Sequence, residues 1–178
     1  MLFRSFWESL DDNELNKRKQ KFQKNWSQLS NDEKQHMQRL ATTAVRETSK
    51  LGSKLEKFLL NKLLQNGYKA EFHKEQTLSN TKLQIDLFLP TINTAIEVDG
   101  PSHFLPVWGD DALKKNIAYD QKKQGLIIGK GWVLIRIKQT KDFCNTRANI
   151  IFEQLNNLLK DISINFPKPD NRTFTIED

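Results

Sequence analysis

The residues with the clearest chemical potential lie between Asp86 and Lys123. Asp86 sits in the run Leu83-Gln84-Ile85-Asp86-Leu87-Phe88-Leu89, and Glu97 and Asp99 sit in Thr94-Ala95-Ile96-Glu97-Val98-Asp99. Both runs alternate with period two, as half-buried strands do. Pro90-Thr91-Ile92-Asn93 between them reads as a turn. A turn centred between Thr91 and Ile92 sets Asp86 opposite Glu97 and Gln84 opposite Asp99. Directly opposed residues have Cβ atoms about 4.5–5.5 Å apart, where like charges repel. Parity also puts Asp86, Glu97 and Asp99 on one face, and a divalent cation would relieve the repulsion. Oxygen-only ligands suit magnesium, which keeps several waters and takes one or two carboxylates plus a phosphate. The alternative is an exposed sheet face with merely solvated acids, or a slipped register that separates them.

The flanking elements must hold these strands. Residues 68–78 read as an earlier strand. After Gly100-Pro101 a polar loop from Ser102 to Asp111 leads into a helix from Ala112 to about Ile128, ended by Gly129-Lys130-Gly131. On that helix Asn116, Asp120 and Lys123 share a face bordered by Leu113 and Ile117, which turns it toward the protein. Trp132-Val133-Leu134-Ile135-Arg136-Ile137 is continuous enough for a sheet-interior strand, so strand, helix and strand form a parallel crossover. A last helix runs from about Thr146 to Leu159, and a tail with Pro167 and Pro169 is expected to lie over the surface. Upstream, Ser30-Asn31-Asp32-Glu33 is a capping box followed by Met37, Leu40, Ala41, Ala44 and Val45 at helical spacing. Ser53-Lys54-Leu55-Glu56 is a second box, followed by Leu55, Phe58, Leu59 and Leu63, with Asn66-Gly67 as the stop. Glu56 either caps this helix by reaching back to Ser53 or points inward beside Leu60 and Leu63. The class is α/β: a mixed sheet with helices around it, behind a helical N-terminal segment.

Net charge is +6, and residues 1–80 hold most of the excess, with 15 basic and 10 acidic side chains. The densest stretch runs from Lys17 to Trp26 and includes Lys17, Arg18, Lys21 and Lys24. Basic residues interleaved with aromatics suit phosphate contact and base stacking. The plainer account is a solvated helix face with Phe22 and Trp26 docked on the core. A single cysteine, Cys144, excludes an intramolecular disulfide framework and a cysteine-rich zinc site. No apolar run approaches the roughly 18 residues of a membrane span. An acid as early as Glu8 argues against a signal peptide, so a cytoplasmic setting is expected.

The stretch Glu56…Asp86…Glu97-Val98-Asp99-Gly100-Pro101-Ser102-His103…Asp120-Gln121-Lys122-Lys123…Gly131-Trp132-Val133-Leu134-Ile135-Arg136 resembles the PD-(D/E)XK nuclease superfamily. Within it, the very-short-patch-repair, restriction-like and homing endonucleases are the most similar branches. The resemblance covers about residues 53–138. It implies a restriction-endonuclease-like core over 51–165, behind a basic helical segment over 1–50 and ahead of a tail over 166–178. It also implies Asp86 and Glu97 as metal ligands, with Asp99 beside them and Glu56 as the helical acid. The activity implied is magnesium-dependent hydrolysis of double-stranded DNA, with manganese able to substitute, as in a phage or mobile-element homing endonuclease of a bacterial cytoplasm. Double-strand cutting by a single site calls for a homodimer or higher assembly. One departure is plain: the family's lysine, two residues after the second acid, is Asp99 here. His103, as the proton-transfer group, and Lys123, held with Asp120 on one helix face and gripping the scissile phosphate, are the candidates to replace it. The string Ile96 to Phe104 also resembles the RNA-binding domain of organellar RNA-processing proteins, which would make the chain an RNA module. An inactive interaction protein on the same core is the remaining alternative.

Overall fold

The computed structural model describes residues 11–75, 83–106 and 109–177. The chain divides into two compact units, Met1–Leu51 and Gly52–Asp178. Among the described residues no helix is long and apolar enough to cross a membrane.

The first unit contributes two helices. Helix α1 spans Asp12–Gln28 and is capped by Asp11, whose carboxylate accepts the Glu14 N–H at 2.7 Å. Helix α2 spans Asn31–Lys50 and starts on the expected capping box. Ser30 Oγ accepts the Glu33 N–H at 3.2 Å, and Glu33 Oε2 accepts the Ser30 N–H at 2.8 Å. Each such cap contributes about 1 kcal/mol. The apolar spacing of α2 does not translate into burial where it can be followed, because Met37 is 48% and Leu40 58% exposed. Spacing alone sets a direction on the helix, not a surface to pack against. The side chains of Phe22, Ala41, Ala44 and Val45 lie outside the described residues.

The second unit is a five-stranded mixed sheet with helices on both faces. Helix α3 spans Lys54–Gln65 and starts on the Ser53 capping box. Strands β1 (Glu71–Lys74), β2 (Ile85–Leu89) and β3 (Thr94–Asp99) form antiparallel neighbours. Helix α4 (Asp110–Gly129) then carries the chain to β4 (Val133–Lys138), parallel to β3, so the expected crossover is present. Helix α5 (Asn145–Ile164) is one turn longer than expected and leads to β5, Thr173–Glu177. The sheet order is β1-β2-β3-β4-β5.

Pairing of Leu87 with Ile96, Phe88 with Ala95 and Leu89 with Thr94 is the register expected from the turn. The turn itself is a 3-10 stretch, Pro90–Ile92, closed by Asn93 at φ 45°. Asparagine tolerates that left-handed conformation better than most residues. The tail departs from expectation. Instead of lying over the surface, β5 pairs in parallel with β4 and buries Ile176. Thr173-Phe174-Thr175-Ile176 alternates with period two, and that pattern prevails over the neighbouring prolines, which stop before the strand.

Leu55, Leu59 and Leu63 of α3 pack with Ile151, Leu155 and Leu159 of α5 against Leu87, Leu89, Ile96 and Ile135. Each fully buried leucine contributes about 1.5–3 kcal/mol. On the opposite face Ile127 of α4 packs with Phe88, Ala95 and Leu134. Leu83 and Ile85 join this second group, so the strand alternation breaks at Asp86. At that break the Asp86 carboxylate turns to the neighbouring strand, where its Oδ2 accepts the Val98 N–H at 2.8 Å.

Candidate active site

Three acids converge beside β1, β2 and β3. Glu56 is buried at 8% exposure and uses its two oxygens differently. Oε1 accepts the Ser53 N–H at 3.0 Å, completing the capping box, and Oε2 meets His73 Nε2 at 2.8 Å. Capping and the inward role therefore coexist in one carboxylate. Glu56, His73 and Asp86 bring one ligand atom each within 4.8 Å of one another, the spread that one cation spans. The His73 ring stacks on Phe72 at 3.8 Å, and its backbone is held at φ 49°. Gly52, at φ +73°, leaves the room this arrangement needs. A Cβ there would stand 2.4 Å from the Phe72 ring and 2.9 Å from Glu56 Oε2.

Glu97 points from β3 toward α4, where the Lys123 ammonium donates to its Oε2. Lys123 is largely buried despite its charge. The other oxygen, Glu97 Oε1, is buried without a hydrogen-bond partner, alone in that respect among the described residues. An unpartnered buried carboxylate oxygen is costly. Burial first, and then the charge of Asp86, push the Glu97 carboxyl up to about 8 against the pull of Lys123. Burial likewise raises Asp86; Lys123 opposes it and Glu56 adds to it. Burial acts to lower the Lys123 pKa, but Glu97 and Asp86 outweigh it and hold the ammonium above its usual range.

A second cluster forms one turn along α4. Asp99, on the same strand face as Glu97, accepts from Arg136 Nε at 2.6 Å. Arg136 also donates to Asp120 Oδ2 at 3.1 Å, and His103 Nδ1 meets that same oxygen at 2.8 Å. His103 lies 3.7 Å from Asp99 Oδ1. The hydrogen bond to Asp120 outweighs burial and raises His103, so its imidazolium persists to higher pH than a free imidazole's. Burial pushes Asp120 up, but His103 and Arg136 outweigh it and keep Asp120 below its ordinary value. Asn116 Nδ2 donates to the Ser102 carbonyl at 2.9 Å, pinning α4 to the loop after β3. The line Asn116, Asp120, Lys123 thus faces the protein as expected, while Ile117 at its border faces solvent.

The two clusters differ in charge closure. Asp99 and Asp120 face a guanidinium and an imidazole whose protonation they favour. Glu56, Asp86 and Glu97 face one ammonium, Lys123, and the His73 ring. The deficit of positive charge is on the side of the unpartnered Glu97 oxygen. Between the clusters, Glu97, Asp120, Lys123, Gln124 and Arg136 line a small recess that opens to solvent. Comparison with protein-family models gives no match, and comparison with curated proteins returns no relative.

The structure thus gathers Glu56, Asp86, Glu97, Asp99, His103, Asp120 and Lys123 around the β2–β3 edge and α4. It turns Asp99 toward Arg136 rather than toward Asp86. Lys17, Arg18, Lys21 and Lys24 belong to the other unit, all exposed on α1, with Arg18 Nη2 3.9 Å from Glu14. His73 and Gly52 carried no assignment from the sequence. For Arg136 a signal existed, a lone charge inside the apolar run Val133–Ile137, whereas His73 sits in a four-residue strand without alternation.

Proposed function

We propose that the chain is a metal-dependent endonuclease that hydrolyses phosphodiester bonds of double-stranded DNA on a restriction-endonuclease-like core. One observation carries the proposal: Glu97 Oε1 is a buried, unpartnered carboxylate oxygen beside a second, half-buried carboxylate, Asp86. Asp86 and Glu97 would hold magnesium, or manganese in its place, with Glu56 and His73 behind Asp86. This donor set is dominated by hard oxygens, as such cations require. Asp99 pairs with Arg136, and together with His103 and Asp120 it forms a second group whose ligand atoms lie within 4.8 Å of one another. A cation held by these residues would supply an acidic bound water and positive charge to offset that on the phosphate.

The protein's own groups divide the remaining work. Lys123 reaches Glu97 from α4 and is the ammonium that grips a phosphate oxygen at the recess. His103, protonated through Asp120, gives a proton to the departing oxygen. Arg136 ties Asp99 to Asp120 and so fixes the face of α4 that presents both groups. The exposed basic residues of α1 give the enzyme a separate hold on the duplex, an arrangement suited to a homing endonuclease.

Nicking of supercoiled plasmid in magnesium tests this. Asp86→Asn and Glu97→Gln should each lower cleavage by at least about 10³-fold while binding in EDTA is kept or strengthened. Full activity of either variant would overturn the metal assignment. Cleavage of RNA with plasmid untouched would overturn the choice of DNA.

A further inference from the structure

The outer side of α4 is not used by the chemistry above, yet it borders the recess. After its first turn the helix has a single acid, Asp120, and that carboxylate is turned inward to His103 and Arg136. Beyond that first turn, which exposes Asp110 and Asp111, the solvent side carries Lys114, Lys115 and Lys122, all exposed. Tyr119 lies between Lys115 and Lys122, four residues from one and three from the other, so the three share a strip of the helix surface. Its ring is 51% exposed, a large aromatic surface left to water. Lys123 follows four residues on, one turn along the helix. The strip therefore begins at the group that faces Glu97 and runs outward along the helix.

Resting on the nuclease reading, we infer that Lys115, Tyr119 and Lys122 form the track for the strand being cut, which leaves the recess along the outer side of α4. The seven-residue step from Lys115 to Lys122 spans about 10 Å of helix axis at 1.5 Å per residue. That is about three base-pair steps along the axis of a DNA duplex at 3.4 Å each. The two ammonium groups take the outer phosphates. The Tyr119 hydroxyl donates to the phosphate next to the one that Lys123 grips. Charge complementarity selects the occupant: from Lys114 to Lys122 the face is cationic, with Asp111 at its far end, and it is continuous with a phosphate-handling site. Because these are backbone contacts, they position the duplex without reading its sequence.

The test measures binding of a fluorescent DNA duplex in EDTA across a range of salt, so no cleavage is needed for the readout. The Lys115→Gln, Lys122→Gln double variant should flatten the slope of log affinity against log salt by about 2, at about 0.9 per phosphate contact, with an unchanged melting temperature. Tyr119→Phe should weaken binding about 10-fold through the lost hydroxyl alone, as befits a hydrogen bond to a charged group. An unchanged slope in the double variant would overturn the track even if wild type nicks plasmid in magnesium. A flattened slope in a protein that never nicks plasmid would overturn the nuclease reading and, with it, the track for a cut strand. Tighter binding of an RNA duplex of the same sequence would overturn the assignment to DNA.

Discussion

Replacing Glu97 with glutamine should make the protein more stable, and increasingly so as pH rises. The amide has nearly the shape of the protonated acid but never carries its charge. In the folded chain the Glu97 carboxyl is pushed from an ordinary 4.5 up to about 8. A raised pKa means that the native state holds the proton more tightly than the unfolded chain does. The native protein is thus favoured fully below about pH 4.5, and that advantage is lost as pH climbs through about 8. At about 1.4 kcal/mol per pH unit, the full span bounds the loss at about 5 kcal/mol. In the glutamine variant Lys123 keeps only Asp86 as a charge partner, which takes back part of the gain. A net stabilisation of about 2 kcal/mol at pH 9, or about 6 °C in melting temperature, is expected, falling to nearly nothing at pH 5. Thermal unfolding of both proteins in EDTA at pH 5, 7 and 9 measures the difference directly. Magnesium at ten times its dissociation constant should then raise wild type by about 1.4 kcal/mol and leave the variant where it was. A gap that stays flat, or narrows, from pH 5 to 9 would refute the view of Glu97 as an under-compensated buried acid.

Three further outcomes follow from the geometry. Gly52→Ala forces a Cβ to within 2.4 Å of the Phe72 ring at φ +73°, so it should cost about 2 kcal/mol or more in chemical denaturation and disturb His73. His103→Ala should lower single-turnover cleavage by roughly 10²–10⁴-fold with little change in affinity, whereas wild-type rates across pH 6–9 would remove His103 from the reaction. The Lys21→Gln, Lys24→Gln double variant should flatten the salt dependence of DNA binding by up to about 2 units without altering sequence preference, and an unchanged slope would return α1 to a solvated helix face.

Much of the sheet was readable from local pattern. A four-residue turn between two period-two runs leaves little freedom of register, and the observed pairing of Leu87 with Ile96 follows from it. Capping boxes at Ser30 and Ser53 are equally local, and both form. Partnerships that depend on distant elements were not readable. Arg136 meets Asp99 across 37 positions and Asp120 across 16, and nothing near Arg136 in the chain announces either. His73 becomes part of the site because Gly52 leaves room for its ring and its own backbone turns left-handed, both set by tertiary contact. The strand β5 was masked by the neighbouring Pro167 and Pro169, although its own four residues alternate. On α1 the spacing of basic residues was visible, but which way Phe22 and Trp26 turn depends on partners that spacing does not name.

The lysine that the nuclease resemblance asks for cannot sit where the family has it in this particular sheet. Position 99 is walled by Arg136 at 2.6 Å and His103 at 3.7 Å, both of which favour a negative neighbour. A cation there would leave the Arg136 guanidinium with Asp120 as its remaining carboxylate partner and would add repulsion from both Arg136 and His103. With Asp99 fixed by Arg136, the ammonium has to come from outside β3, and α4 is the element that can bring it. That helix is anchored on both sides of Lys123. Asn116 and Asp120 fasten it to the loop after β3, and Ile127 is fully buried against Ala95 and Leu134. Lys123 falls between those anchors, so its flexible stem starts from a rigid base and reaches Glu97 with little freedom left to lose. Arg136 and Lys123 are thus two parts of one solution. On the proposed nuclease reading, the first neutralises the acid that stands where that family carries lysine, and the second supplies the positive charge from the helix.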